Sequence, residues 1–124
     1  MDRDMDAIRD IVLALKESKT VINSAEGVDE DTFKFNAMLL IEAGLVLGKT
    51  VPGGGREGSV IPSAAVLFRL TWDGYDFADS IKEDAVWEKA KKHILIPAGS
   101  WTFGILSEYL KQELKAKFGL DGRP

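Results

Sequence analysis

Residues 31–47 read DTFKFNAMLLIEAGLVL. Phe33, Ala37, Leu40 and Gly44 recur at helical spacing, so one stripe of a helix is apolar or small. Gly44 sets the stop, because glycine takes the left-handed conformation there without steric cost. Leu45, Val46 and Leu47 then make a short β-prone run. The chain beyond narrows the choice further. Residues 49–58, KTVPGGGREG, hold Pro52 and three consecutive glycines and form a loop. The next stretch, AAVLFRL at Ala64–Leu70, is apolar on both strand faces except for Arg69, which marks a well-covered strand. With Val46–Val51 it makes a hairpin with a long tip.

A helix ending at a glycine, a strand, a glycine-rich loop and a second strand have the sequence shape of a winged helix. The expected fold class is therefore α+β, with a winged-helix-like core over residues 1–71. C-terminal helices over residues 72–118 are expected to pack on it. A chain of 124 residues is long enough for a real core and is expected to form a single domain, 1–124.

The remaining elements follow from the same signals. Met5, Ile8, Ile11, Val12 and Leu15 give one apolar face to a helix over about residues 4–17, capped by Asp2 or Asp4. Thr20, Val21 and Ile22 form a short edge strand, and residues 23–27 a turn. Asp29 or Asp31 caps the helix that ends at Gly44. A helix-turn-helix needs a supporting helix before it. Only residues 24–30 are available for that, so it is short, distorted or missing. Thr71 caps a helix bearing Trp72, Tyr75, Phe77, Ala78 and Ile81. A break at Glu83-Asp84 leads to a helix over residues 85–94 with Val86, Trp87, Ala90 and Ile94 inward. Ser100 caps a last helix to about Phe118, whose rows are Trp101, Ile105, Tyr109 and Leu106, Leu110, Leu114, Phe118. Residues 119–124 read as a frayed tail.

Composition excludes several classes. There is no cysteine, so there is no disulfide framework, thiolate zinc site or cysteine nucleophile. The start, MDRDMDAIRD, is too acidic for a secretory signal. No run reaches the roughly 18 apolar residues of a membrane span. A cytoplasmic location is expected, with no membrane partner. The net charge of −4 is uneven. Residues 1–31 carry nine acids against four bases, whereas residues 85–118 carry six lysines against three glutamates. An acidic front half disfavours broad nucleic-acid affinity there, and a modest basic patch at the back leaves it open.

On the helix ending at Gly44, an inward Phe33, Ala37 and Leu40 put Lys34, Phe35, Asn36, Met38 and Leu39 on or near the outer side. Lys34 and Asn36 are credible groove contacts, since asparagine pairs with adenine. Lys49 and Arg56 on the hairpin are the matching backbone or minor-groove contacts. Against this stand the acids at 29–31, which repel phosphate. The structural alternative is a helix packed on both sides. The PGGGREG loop lacks the lysine-hydroxyl ending of a phosphate cradle. His93, the only histidine, has no spaced carboxylate or serine and reads as structural or solvated. The aspartates at 2, 4, 6 and at 29, 31 lack the glycine and glutamate of a calcium loop, and read as helix caps. Lys89, Lys92, Lys111 and Lys115 read as solvated faces, and Trp72, Trp87 and Trp101 as core anchors. No cofactor and no metal is expected.

Three blocks carry a family resemblance: RDMD with Ile8-Arg9, then LLIEAGL at 39–45, then LTWDGYDFADSIKEDAVWEKAKK at 70–92. They resemble a family of small bacterial and prophage proteins, domain of unknown function twenty-five thirteen. The last block is the most specific, with two tryptophans, a glycine and an Asp–Trp spacing together. Phe35-Asn36 stands where a Tyr-His pair is common in that family. The resemblance implies a winged-helix-like fold and a phage or prophage setting, and brings no catalytic residues. The leading functional expectation is a non-enzymatic regulatory module binding double-stranded DNA through Lys34, Asn36, Lys49 and Arg56. The alternative is a protein-interaction or oligomerisation module, including a homodimer through the C-terminal helix.

Overall fold

The computed structural model describes residues 1–53, 59–95 and 102–118. Its elements are α1 (Met5–Glu17), α2 (Glu30–Glu42), β1 (Val46–Val51), β2 (Ala64–Leu70), α3 (Trp72–Ile81), α4 (Asp84–Ala90), a wide π-type turn (Lys91–Leu95) and α5 (Phe103–Phe118). The fold class is α+β, as expected. None of these helices is long and apolar enough to cross a membrane. The chain divides into two compact units, Met1–Ala78 and Asp79–Pro124.

In the first unit, Asp4 caps α1 by accepting the Ala7 N–H at 3.0 Å. The helix buries Ile8, Ile11, Val12 and Leu15. Asp29, not Asp31, caps α2: its carboxylate accepts the Thr32 N–H at 3.2 Å and the Thr32 hydroxyl at 2.6 Å. These aspartates serve as the caps that their spacing suggested. Alpha-helix α2 ends where Gly44 turns left-handed at φ 76°. The Leu45 N–H reaches the Leu40 carbonyl and the Gly44 N–H the Ile41 carbonyl, the paired bonds of a Schellman stop.

Strands β1 and β2 pair antiparallel, from Val46 opposite Leu70 to Val51 opposite Ala64. The register shifts between Leu47 and Gly48, so Phe68 has no direct opposite. The expected edge strand at residues 20–22 shrinks to one bridge, Ile22 with Leu67, closed by two backbone bonds of 3.0 and 2.8 Å. The supporting helix expected before α2 is a single turn, in which the Val28 N–H donates to the Ala25 carbonyl. Ile11, Val12, Phe33, Ala37, Leu40, Val46, Leu67 and Leu70 are all essentially without solvent contact and form the core where α1, α2 and the hairpin meet. Apart from Ala37, burying side chains of this size contributes roughly 1.5–3 kcal/mol each.

In the second unit, Val86, Trp87 and Ala90 of α4 and Leu106 and Leu110 of α5 are buried. Thr102 caps α5 through its hydroxyl, which accepts the Ile105 N–H at 3.2 Å. The proposed cap Ser100 and the first row residue Trp101 lie outside the described residues. In the second row Leu106 and Leu110 bury fully and Leu114 is half-buried; in the first row Ile105 is exposed and Tyr109 half-buried. Two ion pairs join the helices, Lys89 to Glu113 at 3.5 Å and Lys117 to Glu83 at 3.2 Å.

Candidate interaction surfaces

The outer arc of α2 differs from the one its sequence suggested. Phe33, Ala37 and Leu40 face the core as expected. Asn36, however, is wholly buried, at 0% exposure. Its Oδ1 accepts the Asp4 N–H at 3.0 Å and its Nδ2 donates to the Thr32 carbonyl at 2.9 Å. The side chain therefore ties α2 to the entry of α1, because a buried amide must find partners for both its ends. Phe35 lies across the helix from Phe33 and is also buried. With Asn36 and Phe35 taken inward, the helix is covered on two sides. Glu30, Asp31, Lys34, Met38, Ile41 and Glu42 remain on the outer arc, all exposed or partly so.

Lys34 is the only cation of that arc. Its Nζ lies 2.7 Å from Glu30 Oε1, one helical turn back. The hydrogen bond from Lys34, and then its charge, hold the Glu30 carboxyl below its ordinary range. The Thr32 hydroxyl and then its N–H do the same for Asp29. Both groups stay ionised at neutral pH, so the N-terminal half of α2 presents fixed negative charge. Beside it runs a groove of about 490 Å³, lined among others by Asn23, Ser24, Phe33, Lys34, Ser63 and Ala65. The cation at this groove is already neutralised by Glu30.

Lys49 is exposed on β1, opposite Val66. Arg56 lies outside the described residues. Of the sequence-derived contacts within the described residues, Lys49 is exposed, Lys34 is largely covered and paired with Glu30, and Asn36 is interior.

A second surface was missed. Trp72 opens α3 and is 83% exposed. Sequence periodicity had counted it with the core, whereas the inward row of α3 is Gly74, Phe77, Ala78 and Ile81. The turn that carries Trp72 is fixed from three directions. The Thr71 hydroxyl donates to the Gly44 carbonyl at 2.6 Å and accepts the Gly74 N–H at 3.1 Å. The Thr71 N–H donates to the Leu45 carbonyl at 3.0 Å. Gly74 sits so close that a Cβ there would fall 1.9 Å from the Leu45 carbonyl oxygen. Tyr75, Leu47 and Phe68 are each more than two-fifths exposed. Leu47 and Phe68 lie at the α3 end of the hairpin. The signal that would have found Trp72 is the i, i+3, i+4, i+7 spacing of 74, 77, 78 and 81, obscured because its first member is a glycine.

Titratable chemistry is sparse. His93 is exposed in the π-type turn, its ring centroid 6.3 Å from that of Tyr109. Burial raises the Tyr109 hydroxyl, with the Glu113 charge and hydrogen bond adding to it. Lys91 Nζ lies 3.2 Å from Glu88 Oε1, one helical turn back. Among the described residues no three His, Cys, Asp or Glu side chains converge as a metal site would require.

Comparison with known proteins places the chain. The family model described as "Hypothetical protein (DUF2513)" matches residues 2–100. An uncharacterized protein of Haemophilus influenzae is 30% identical over 100 residues, covering 76% of this chain and 79% of its own length. No solved structure gives a significant match. The match over most of the chain agrees with the resemblance carried by the three blocks at 3–9, 39–45 and 70–92: this chain belongs to the DUF2513 family.

Proposed function

We propose that this chain is a non-enzymatic regulatory module that acts by holding another protein, on a winged-helix-like scaffold. The observation that carries this reading is the outer arc of α2. It offers three carboxylates, and a single lysine already paired with one of them. A helix that reads a major groove must approach phosphates, and affinity for DNA rests on neutralising them. This arc repels them instead, and the asparagine that would have read a base is used inside the fold. A phage or prophage setting is part of the proposal and rests on the resemblance of the 70–92 block.

A second reading, DNA binding, is favoured by one observation. The order helix, one-residue strand, turn, helix, hairpin resembles a winged helix whose supporting helix is reduced to a turn, and Lys49 stands exposed on the hairpin. A gel-shift series on duplex DNA across salt concentrations separates the two. The interaction reading expects no retention even at low salt. Retention that weakens steeply with salt, and is lost in Lys49→Glu, would replace it with the DNA reading.

A further inference from the structure

We propose that the first turn of α3, with the adjoining end of the hairpin, is a docking surface for a basic, apolar segment of a partner protein, with Trp72 as its anchor. This deepens the interaction reading above and rests on it.

Tryptophan and tyrosine dominate binding energy at protein interfaces when their backbone is already in place. Trp72 meets both conditions. The residue is 83% exposed, while the turn below it is bolted to the α2–β1 junction by Thr71 and by the close approach of Gly74 to Leu45. Little conformational freedom of the backbone is left to lose on binding. Tyr75 follows one turn later, and Leu47 and Phe68, at the end of the hairpin that leads into α3, are exposed as well.

Charge decides the occupant. Asp73 and Asp76 are exposed on the same helix, interleaved with Trp72 and Tyr75. The cation at this end of the hairpin is Arg69, which turns one Nη1 back onto the Leu70 carbonyl at 2.9 Å. Nucleic acid and an anionic membrane surface would each bring negative charge against the aspartates. A second copy docking about a two-fold axis would oppose the same aspartates to themselves. A segment that alternates lysine or arginine with apolar side chains satisfies both the aromatic anchor and the acids.

The test uses the full chain and two synthetic peptides, one alternating lysine with leucine and one with glutamate in place of lysine. Binding is followed by calorimetry and by the Trp72 indole N–H resonance, assigned by its loss in Trp72→Ala. The lysine peptide is expected to bind and shift that resonance. Trp72→Ala should weaken binding by about ten-fold or more, and Asp73→Asn with Asp76→Asn should remove the preference for lysine over glutamate. Circular dichroism of each variant checks that it is folded. Absence of binding, equal binding of both peptides, or undiminished binding by folded Trp72→Ala overturns the proposal. So does self-association of the wild-type chain that Trp72→Ala abolishes. Retention of DNA together with Trp72-dependent peptide binding would remove the functional reading while leaving this surface in place.

Discussion

Helix α2 and the first turn of α3 invert each other. On α2, a polar residue suited to reading a partner points inward, and Asn36 spends both ends of its amide on the Asp4 and Thr32 backbones. On α3, an apolar residue suited to a core points outward, and Trp72 stands in solvent above a rigid turn. At these two positions burial follows which backbone groups need partners and where neighbouring segments leave room, rather than side-chain polarity. The helix that looks like a reader is a structural member, and the helix that looks like packing carries the displayed side chain.

The largest expected effect tests the rigidity of the α3 turn. Gly74→Ala drives a methyl into the Leu45 carbonyl, a backbone atom that cannot swing aside. It should cost about 3 kcal/mol or more of stability in chemical denaturation. A near-neutral result would mean that the turn is not bolted down. Next comes Asn36→Ala, which leaves the Asp4 N–H without its acceptor and opens a small void. The expected loss is about 2 kcal/mol. A change within the noise would return Asn36 to the surface and erase the inversion.

A smaller loss is expected from acid. Asp29 and Glu30 have folded carboxyl pKa values below their ordinary ones, so the folded state favours their charged forms. The stability they lend is full above the ordinary carboxylate values, about 4. It is lost as pH falls through the lower folded values. Asp29→Ala should flatten that acid limb in thermal melts recorded from neutral to acidic pH. An unchanged limb would show that the α2 cap does not couple to stability. The smallest effect should be Trp72→Ala, within about 0.5 kcal/mol of wild type in the same denaturation assay. A large loss would place the ring in the core after all.

The legible parts of the fold are those fixed by local chemistry. Gly44 could be read as the end of α2 because an L side chain is strained where the chain turns left-handed. The hairpin could be read because Ala64–Leu70 and Val46–Val51 flank proline and glycine. A supporting helix that is short, distorted or missing could be read before α2 from the lack of residues to build one. What escaped depends on distant segments. The partner of Asn36 is 32 positions away, and nothing in an asparagine announces such a bond. Trp72 was misjudged because apolar spacing marks a face only once its inward row is known, and that row begins with a glycine. Of the proposed DNA contacts, Lys34 is only 19% exposed, and its pairing with Glu30 changes what it offers.

Side-chain hydrogen exchange tests the inversion most directly. On transfer of the labelled chain to heavy water, the Asn36 side-chain amide protons should persist after the Trp72 indole proton has vanished. The reverse order, with Asn36 exchanging at once and Trp72 protected, would contradict the account.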